Sequence, residues 1–257
     1  MKQFILTNEP VDSTVRLEGG DYRYLVRVSR LAVGEYFPAL LPNGTETLVQ
    51  VLSISGGVLT GKCLANTNEA APVPPEPQIP PIILFQAMPK GEKMDLIVRQ
   101  AAEGGITEIV PFISEYSLSK QEVKAERWNR IIREARQQSG SKIATLVRDT
   151  CNFAEIIAYW EELKSRYRKV AGIFLHQVIL GQESFHSALN PAPEAAVLAV
   201  GPEGGFSPHE TEKFLNAGFK PVTMGPSILR AETAALYASA AARIILLESE
   251  LWIPKTL

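Results

Sequence analysis

The sequence predicts an α/β protein in two parts, a small β-rich unit followed by a larger domain built on a mainly parallel sheet. Three observations carry this reading. A proline-rich stretch, TNEAAPVPPEPQIPP at 67–81, divides the chain. Before it, short segments rich in Val, Leu and Ile are separated by turn formers. After it, continuous apolar runs alternate with amphipathic helical patterns, as expected of strands buried on both faces and joined by crossover helices.

In the first part, residues 1–70, the strand candidates are EYFPALL, ETLVQVLSI and GVLTGKCLA, separated by Pro42-Asn43-Gly44 and Gly56-Gly57. A small barrel is the simplest closure of such strands. One helical element, DYRYLVRVSRL at 21–31, interrupts them, with Arg23, Arg27 and Arg30 at i, i+4 and i+7 on one expected face. That face reads either as solvated or as a phosphate-contacting stripe. Residues 71–81 form the core of a stiff linker, because proline removes backbone donors and favours extended geometry.

In the second part, residues 82–257, the strand candidates are PIILFQAM, TEIVPFI, KVAGIFL, AAVLAV and KPVTM. Helical patterns fall at 91–103, 125–138, 153–166, 208–217 and 231–249. The helix at 125–138 is two-sided: Trp128, Ile131, Ile132 and Ala135 form an apolar stripe, while Arg127, Arg130, Arg133 and Arg136 occupy the rest. Its basic side faces solvent or a polyanion.

Composition narrows the function classes. A chain of 257 residues with 46% apolar content builds one or two globular domains. No apolar run reaches the ~20 residues of a membrane span. The N-terminus MKQFILTNEP lacks the pattern of a secretion signal. A soluble, cytoplasmic protein with no membrane partner is expected. Cys63 and Cys151 have no second cysteine or histidine at ligand spacing, and His176, His186 and His209 form no motif, so no metal is expected. The net charge of −2 argues against indiscriminate nucleic-acid binding. Between Lys120 and Arg148, however, eight Lys or Arg stand against three Glu, giving +5, so charge is segregated.

Two turns carry the candidate chemistry. In AAVLAVGPEGGFSPHETEKFL an apolar strand ends in a glycine-rich turn and enters a helix whose start is marked by Ser207, Pro208 and Glu210. Gly201, Gly204 and Gly205 permit unusual dihedrals and close approach of a ligand to the backbone. Turns at strand carboxyl ends are where open α/β sheets bind ligands. The spacing matches neither a dinucleotide fingerprint nor a P-loop, and no acidic ribose partner follows about 20 residues on. A nicotinamide-dependent oxidoreductase is therefore disfavoured. The second turn, Gly225-Pro226-Ser227, follows KPVTM and leads through Ile228, Leu229 and Arg230 to a helix beginning near Glu232. Its backbone groups suit an adenine edge and a ribose, with Arg230 and Glu232 at the polar rim. Alanines at 234, 235, 238, 240, 241 and 242 give that helix high propensity and a surface permitting close approach.

With KGEKMDLIVRQAAEGGITEIVPFISEYSLSK, ERWNRIIREARQQS, GPEGGFS and GPSILRAETAA in this order, the chain resembles the SPOUT class of methyltransferases. Within that class it resembles the RsmE family, which methylates N3 of a uridine in small-subunit ribosomal RNA. The resemblance implies an N-terminal PUA-like β-barrel that binds RNA and a trefoil-knotted α/β C-terminal domain. It also implies a homodimer and a bent S-adenosylmethionine as methyl donor. Carried onto this chain, the donor contacts are Leu175, His176, Gly201, Glu203, Gly204, Gly205, Met224, Gly225, Ile228 and Leu229. The candidate RNA contacts are Arg23, Arg27 and Arg30 of the N-terminal helical face and Arg136 of the basic helix, read from spacing, and Lys142, read from the resemblance. The chain departs from the usual pattern at Ala231, where threonine is common, and at Ser227, where arginine is frequent. The basic residue expected after QQS is displaced to Lys142, and EGG replaces ELG at 103–105.

On this reading the reaction is in-line transfer of a sulfonium methyl to uracil N3, which is weakly nucleophilic until its proton is lost. Glu232 is the candidate base and Arg230 the candidate stabiliser of the uracil carbonyl oxygens; a structural pairing of the two is the alternative. Because N3 lies on the Watson–Crick edge, the base must be unpaired, which favours a folded ribosomal particle as substrate. Rival readings are a SPOUT enzyme acting on another RNA position and a non-catalytic RNA-binding or assembly factor.

Overall fold

The structure is a computed structural model that describes residues 3–64, 79–118, 125–177 and 184–251. Most of the expected linker, and Lys120 and Lys124 of the basic block, lie outside the described residues. The chain divides into two compact units, Met1–Pro75 with Arg136–Lys142, and Glu76–Ala135 with Ile143–Leu257.

The N-terminal unit is a five-stranded sheet of β1 (Phe4–Ile5), β2 (Thr14–Glu18), β3 (Tyr36–Leu40), β4 (Glu46–Ser55) and β5 (Val58–Leu64), in the order β1-β3-β4-β5-β2. Its long hairpin turns at Gly56 and Gly57, both left-handed with φ of +57° and +79°, where side-chain-bearing residues would be strained. Val49 and Val51 point inward from β4 and meet Phe4, Leu25, Phe37 and Leu59 in one core. Strands β1 and β2 escaped the sequence pattern: β1 has only two residues, and β2 follows directly on Asp12 and Ser13, which hold positive φ.

The expected helix at 21–31 is shorter and differently wound. A turn of helix α1 (Gly19–Tyr22) runs into a π-helical turn, Arg23–Val28, closed by the Ser29 N–H on the Tyr24 carbonyl at 2.9 Å. Arg30 lies past its end with φ +58°. The three-arginine face is therefore corrected to Arg23 and Arg27. Leu25, fully buried, sets this winding, since it must reach the core of the N-terminal unit while the Leu31 N–H closes back on the Leu25 carbonyl.

The second unit carries β6 (Ile82–Ala87), β7 (Glu108–Ile113), β8 (Leu146–Val147), β9 (Cys151–Asn152), β10 (Val170–Leu175), β11 (Ala195–Val200) and β12 (Lys220–Val222). The order is β12-β10-β11-β6-β7-β8, with β9 also beside β7, and every pairing is parallel. Alternate residues of the central strands serve two cores. Ile82 and Leu84 pack with α2 (Lys93–Glu103), α3 (Ala125–Ser139) and α7 (Ala231–Leu251); Ile83 and Phe85 pack with α4 (Phe153–Arg166) and α6 (Pro208–Asn216). A short α5 (Phe185–Leu189) completes the α7 face. The apolar stripe of α3 is buried as expected, through Trp128, Ile131, Ile132 and Ala135. In α7, Ala235, Ala238 and Ala242 face the core, and their small side chains let the helix lie close against α2 and the sheet.

Candidate active site

The loops after β10, β11 and β12 line one cleft, open to solvent on one side. These three strands are neighbours in the parallel sheet, so their carboxyl ends deliver the loops to one place although they are far apart in sequence. Leu175, His176, Gly201, Glu203, Gly205, Met224, Gly225, Ile228 and Leu229 line the cleft. Ser227, Ala231 and Ala234, noted in the sequence without a donor role, also line it, as do Gln177, Val200 and Pro202, which were not singled out. Proximity to the marked positions was their only signal.

The glycines have separable tasks. A Cβ at Gly201 would lie 3.2 Å from the Gly205 backbone, so the turn would have to shift by a few tenths of an ångström to accept one. Gly205 and Gly225 hold φ of +71° and +109°. Gly204 does not line the cleft: a Cβ there would meet the Tyr116 Cβ at 3.0 Å. Its Cα thus packs against Tyr116.

Helix α6 is anchored beneath this turn by Glu210, only 1% exposed. Its carboxylate accepts the Ser207 N–H at 3.0 Å, the Ser114 hydroxyl at 2.9 Å and the Glu115 N–H at 3.0 Å, while Ser207 Oγ accepts the Glu210 N–H. The capping box read from sequence thus also ties α6 to the segment after β7. Glu210→Ala orphans these buried donors and is expected to lower unfolding stability by about 2–4 kcal/mol. A urea midpoint unchanged from wild type would contradict this.

A charged cluster brackets the cleft rim. Lys93, in the first turn of α2, places Nζ 2.5 Å from Glu203 Oε1 and 3.6 Å from Glu232 Oε2. Glu203 also accepts the Lys90 N–H at 3.2 Å. The bond to Glu203 raises the Lys93 pKa. Burial works against ionisation of Glu203, but the hydrogen bonds from Lys93 and the backbone hold its pKa below the ordinary value. Glu232 is largely buried, and its Oε2 accepts no hydrogen bond. Arg230 is exposed, its carbonyl accepts the Ala234 N–H at 2.8 Å, and its guanidinium pairs with no described residue. Within the chain, Glu232 faces Lys93 and not Arg230. Lys93 was missed because its partners come from residues 110 and 139 positions away.

The five candidate RNA contacts all fall in the N-terminal unit. Arg23, Arg27 and Arg30 are exposed. Arg136 is half-buried and donates to the Ser141 and Lys142 carbonyls at 3.4 and 3.1 Å, with burial lowering its pKa. Lys142 pairs with Glu46 at 3.2 Å. The basic block is further neutralised in space, because Arg127 pairs with Asp95 and Arg148 with Glu108.

A family model described as an RNA methyltransferase domain matches residues 75–243, which include the whole cleft. The ribosomal RNA small subunit methyltransferase E of Synechocystis is 32% identical over 240 residues, covering 90% of this chain and 73% of that relative. The chain belongs to the RsmE family of RNA methyltransferases. The RsmE relative from Bacillus subtilis is 26% identical, over 92% of this chain and 93% of its own. A crystal structure of the Neisseria gonorrhoeae RsmE, bound to S-adenosyl methionine, superposes with a TM-score of 0.74 at 27% identity, over 94% and 96% of the two chains. In this RsmE-family chain, among the described residues, no group of three or more His, Cys, Asp or Glu could hold a metal ion, and no helix is long and apolar enough to cross a membrane.

Proposed function

We propose that the chain transfers a methyl group from S-adenosylmethionine to N3 of a uracil in small-subunit ribosomal RNA. The observation that carries this reading is the three-loop cleft, joined to membership of a family whose named relatives act on that RNA. The residues present suit the donor. Leu175, Met224, Ile228 and Leu229 offer apolar contact, and the turns at Gly201–Gly205 and Gly225 offer backbone donors and acceptors that a Cβ would obstruct. When bound, the donor supplies an electrophilic methyl group.

The chain's own groups then orient the acceptor and manage one proton. Glu232 takes the N3 proton as its carboxylate, whose negative charge before transfer is offset by the Lys93 ammonium 3.6 Å from Oε2. Arg230, free of other partners among the described residues, offsets the negative charge spread over the two uracil carbonyls. Positioning of the two reactants contributes the remainder. Glu232→Ala is expected to slow single-turnover methyl transfer by about 10²-fold or more; a wild-type rate removes the base assignment.

Several finer features go with this reading. A homodimer is supported by apolar side chains left exposed along α7, Leu236, Tyr237 and Ile244, and by Ile228 at 74% exposure on the cleft rim. The curled five-stranded sheet is read as a PUA-like RNA-binding barrel over 1–70, with 71–81 as linker and 82–257 as a knotted SPOUT domain. The assembled small subunit in the cytoplasm is the proposed substrate. Nucleoside mass spectrometry of ribosomal RNA from cells with and without the protein tests the assignment. Loss of N3-methyluridine supports it, and loss of a different modification reassigns the acceptor.

A further inference from the structure

The segment after β7 is a tight, doubly fastened turn. The Ser117 N–H donates to the Ser114 carbonyl at 3.0 Å, and the Ser114 N–H to Ser117 Oγ at 3.1 Å. From below, Glu210 takes the Ser114 hydroxyl and the Glu115 N–H, and His209 Nδ1 lies 3.2 Å from Glu115 Oε1. A backbone held this firmly fixes what projects from it, and Tyr116 projects from its middle. Its side chain rests on Gly204, where an added Cβ would meet Tyr116 Cβ, Cγ and Cδ2 at 3.0, 3.4 and 3.5 Å. The residues on either side of Gly204, Glu203 and Gly205, both line the cleft. Tyr116 is nonetheless 45% exposed, and its hydroxyl bonds to no described residue. An aromatic ring, rigidly mounted and half open to solvent, thus sits across one residue of turn from the cleft.

We propose that Tyr116 is a stacking platform for an unpaired base of the substrate RNA, at or beside the methylated position. This rests on the methyltransferase reading above. A base that presents N3 to a methyl donor has left its pair and lost stacking, and proteins restore that stacking with aromatic side chains. Tyrosine suits the task because only two side-chain torsions must be fixed, and here the turn has already fixed the backbone. The paired glycines therefore serve two ligands: Gly205 opens the turn toward the donor, and Gly204 seats the ring that receives the base.

The test compares wild type, Tyr116→Ala and Tyr116→Phe as full-length protein, in two measurements. The first is methyl transfer to small subunits purified from cells lacking the protein. Loss of one stacked base predicts a KM for the subunit raised about 5- to 150-fold in Tyr116→Ala. Tyr116→Phe is expected within about twofold of wild type, since the ring and not the hydroxyl is used, and calorimetric donor affinity should be equal in all three. The second is fluorescence anisotropy of a labelled single-stranded oligouridine, which reads stacking without catalysis and should weaken only in Tyr116→Ala. An unchanged KM and anisotropy in Tyr116→Ala overturn the proposal, as does equal impairment of both variants or a parallel loss of donor affinity. A wild-type protein that binds oligouridine through Tyr116 yet methylates no RNA overturns the functional reading and leaves the platform standing.

Discussion

Gly201→Val is expected to bind S-adenosylmethionine about 100-fold more weakly than wild type in calorimetry. The Cβ alone comes within 3.2 Å of Gly205 Cα and carbonyl carbon, which are backbone and cannot swing aside. The two further methyls must either displace the Gly205 backbone or enter the cleft that Gly201 lines. Overpacking of this kind costs about 1–3 kcal/mol, and 100-fold in affinity corresponds to about 2.7 kcal/mol. The N-terminal unit has its own core and should be untouched. Wild-type donor affinity in this variant would show that the donor does not use this turn.

Lys93→Glu is expected to reduce both donor affinity and stability, because it places a third carboxylate between Glu203 and Glu232, where like charges in contact cost several kcal/mol. With Lys93 and Glu203 each 31% exposed, solvent moderates the loss, so about 1–3 kcal/mol in unfolding free energy is expected. High salt should recover part of it, Lys93→Arg should approach wild type, and Lys93→Met should fall between. The pH dependence follows from the directions of the two shifts. Glu203 titrates below its ordinary 4.5, so its contribution is present above that value and lost as pH falls through the lower folded-state pKa. Lys93 titrates above 10.5, so its contribution is present below that value and lost as pH rises through the higher folded-state pKa. The difference in unfolding free energy between wild type and Lys93→Met should therefore be constant between about pH 6 and 9. A difference that drifts across this range, or a Lys93→Glu protein with wild-type donor affinity and stability, would show that the ion pairs do not brace the cleft.

What the sequence disclosed follows from where the physics is local. Apolar runs such as AAVLAV mark strands because both faces of a parallel sheet are covered, and β11 is buried at all six positions. The Ser207-Pro208-Glu210 signature marks a helix start through neighbours three residues apart. The glycine turns were legible for the same reason. Lys93 was not, since its role depends on two carboxylates brought from other elements. Gly204 looked like its neighbours, and only the position of Tyr116 shows that it faces the other way. Arg30 was misplaced because a helical repeat was assumed where the chain takes a π-turn and then a left-handed residue. Strands β8 and β9, of two residues each, are too short to carry a pattern.

The sheet order has a kinetic consequence. Strand β6 pairs Ile82 with Ala196, and β10 pairs Leu175 with Val222, so the strands that deliver the cleft close over long stretches of chain. Closing such loops is paid in entropy before any contact is gained, which makes parallel pairings of this span slow to form. The cleft loops come together only once β10, β11 and β12 have paired. During refolding, recovery of donor binding should therefore trail recovery of helical signal, and the bound donor becomes a probe of when these strands have paired.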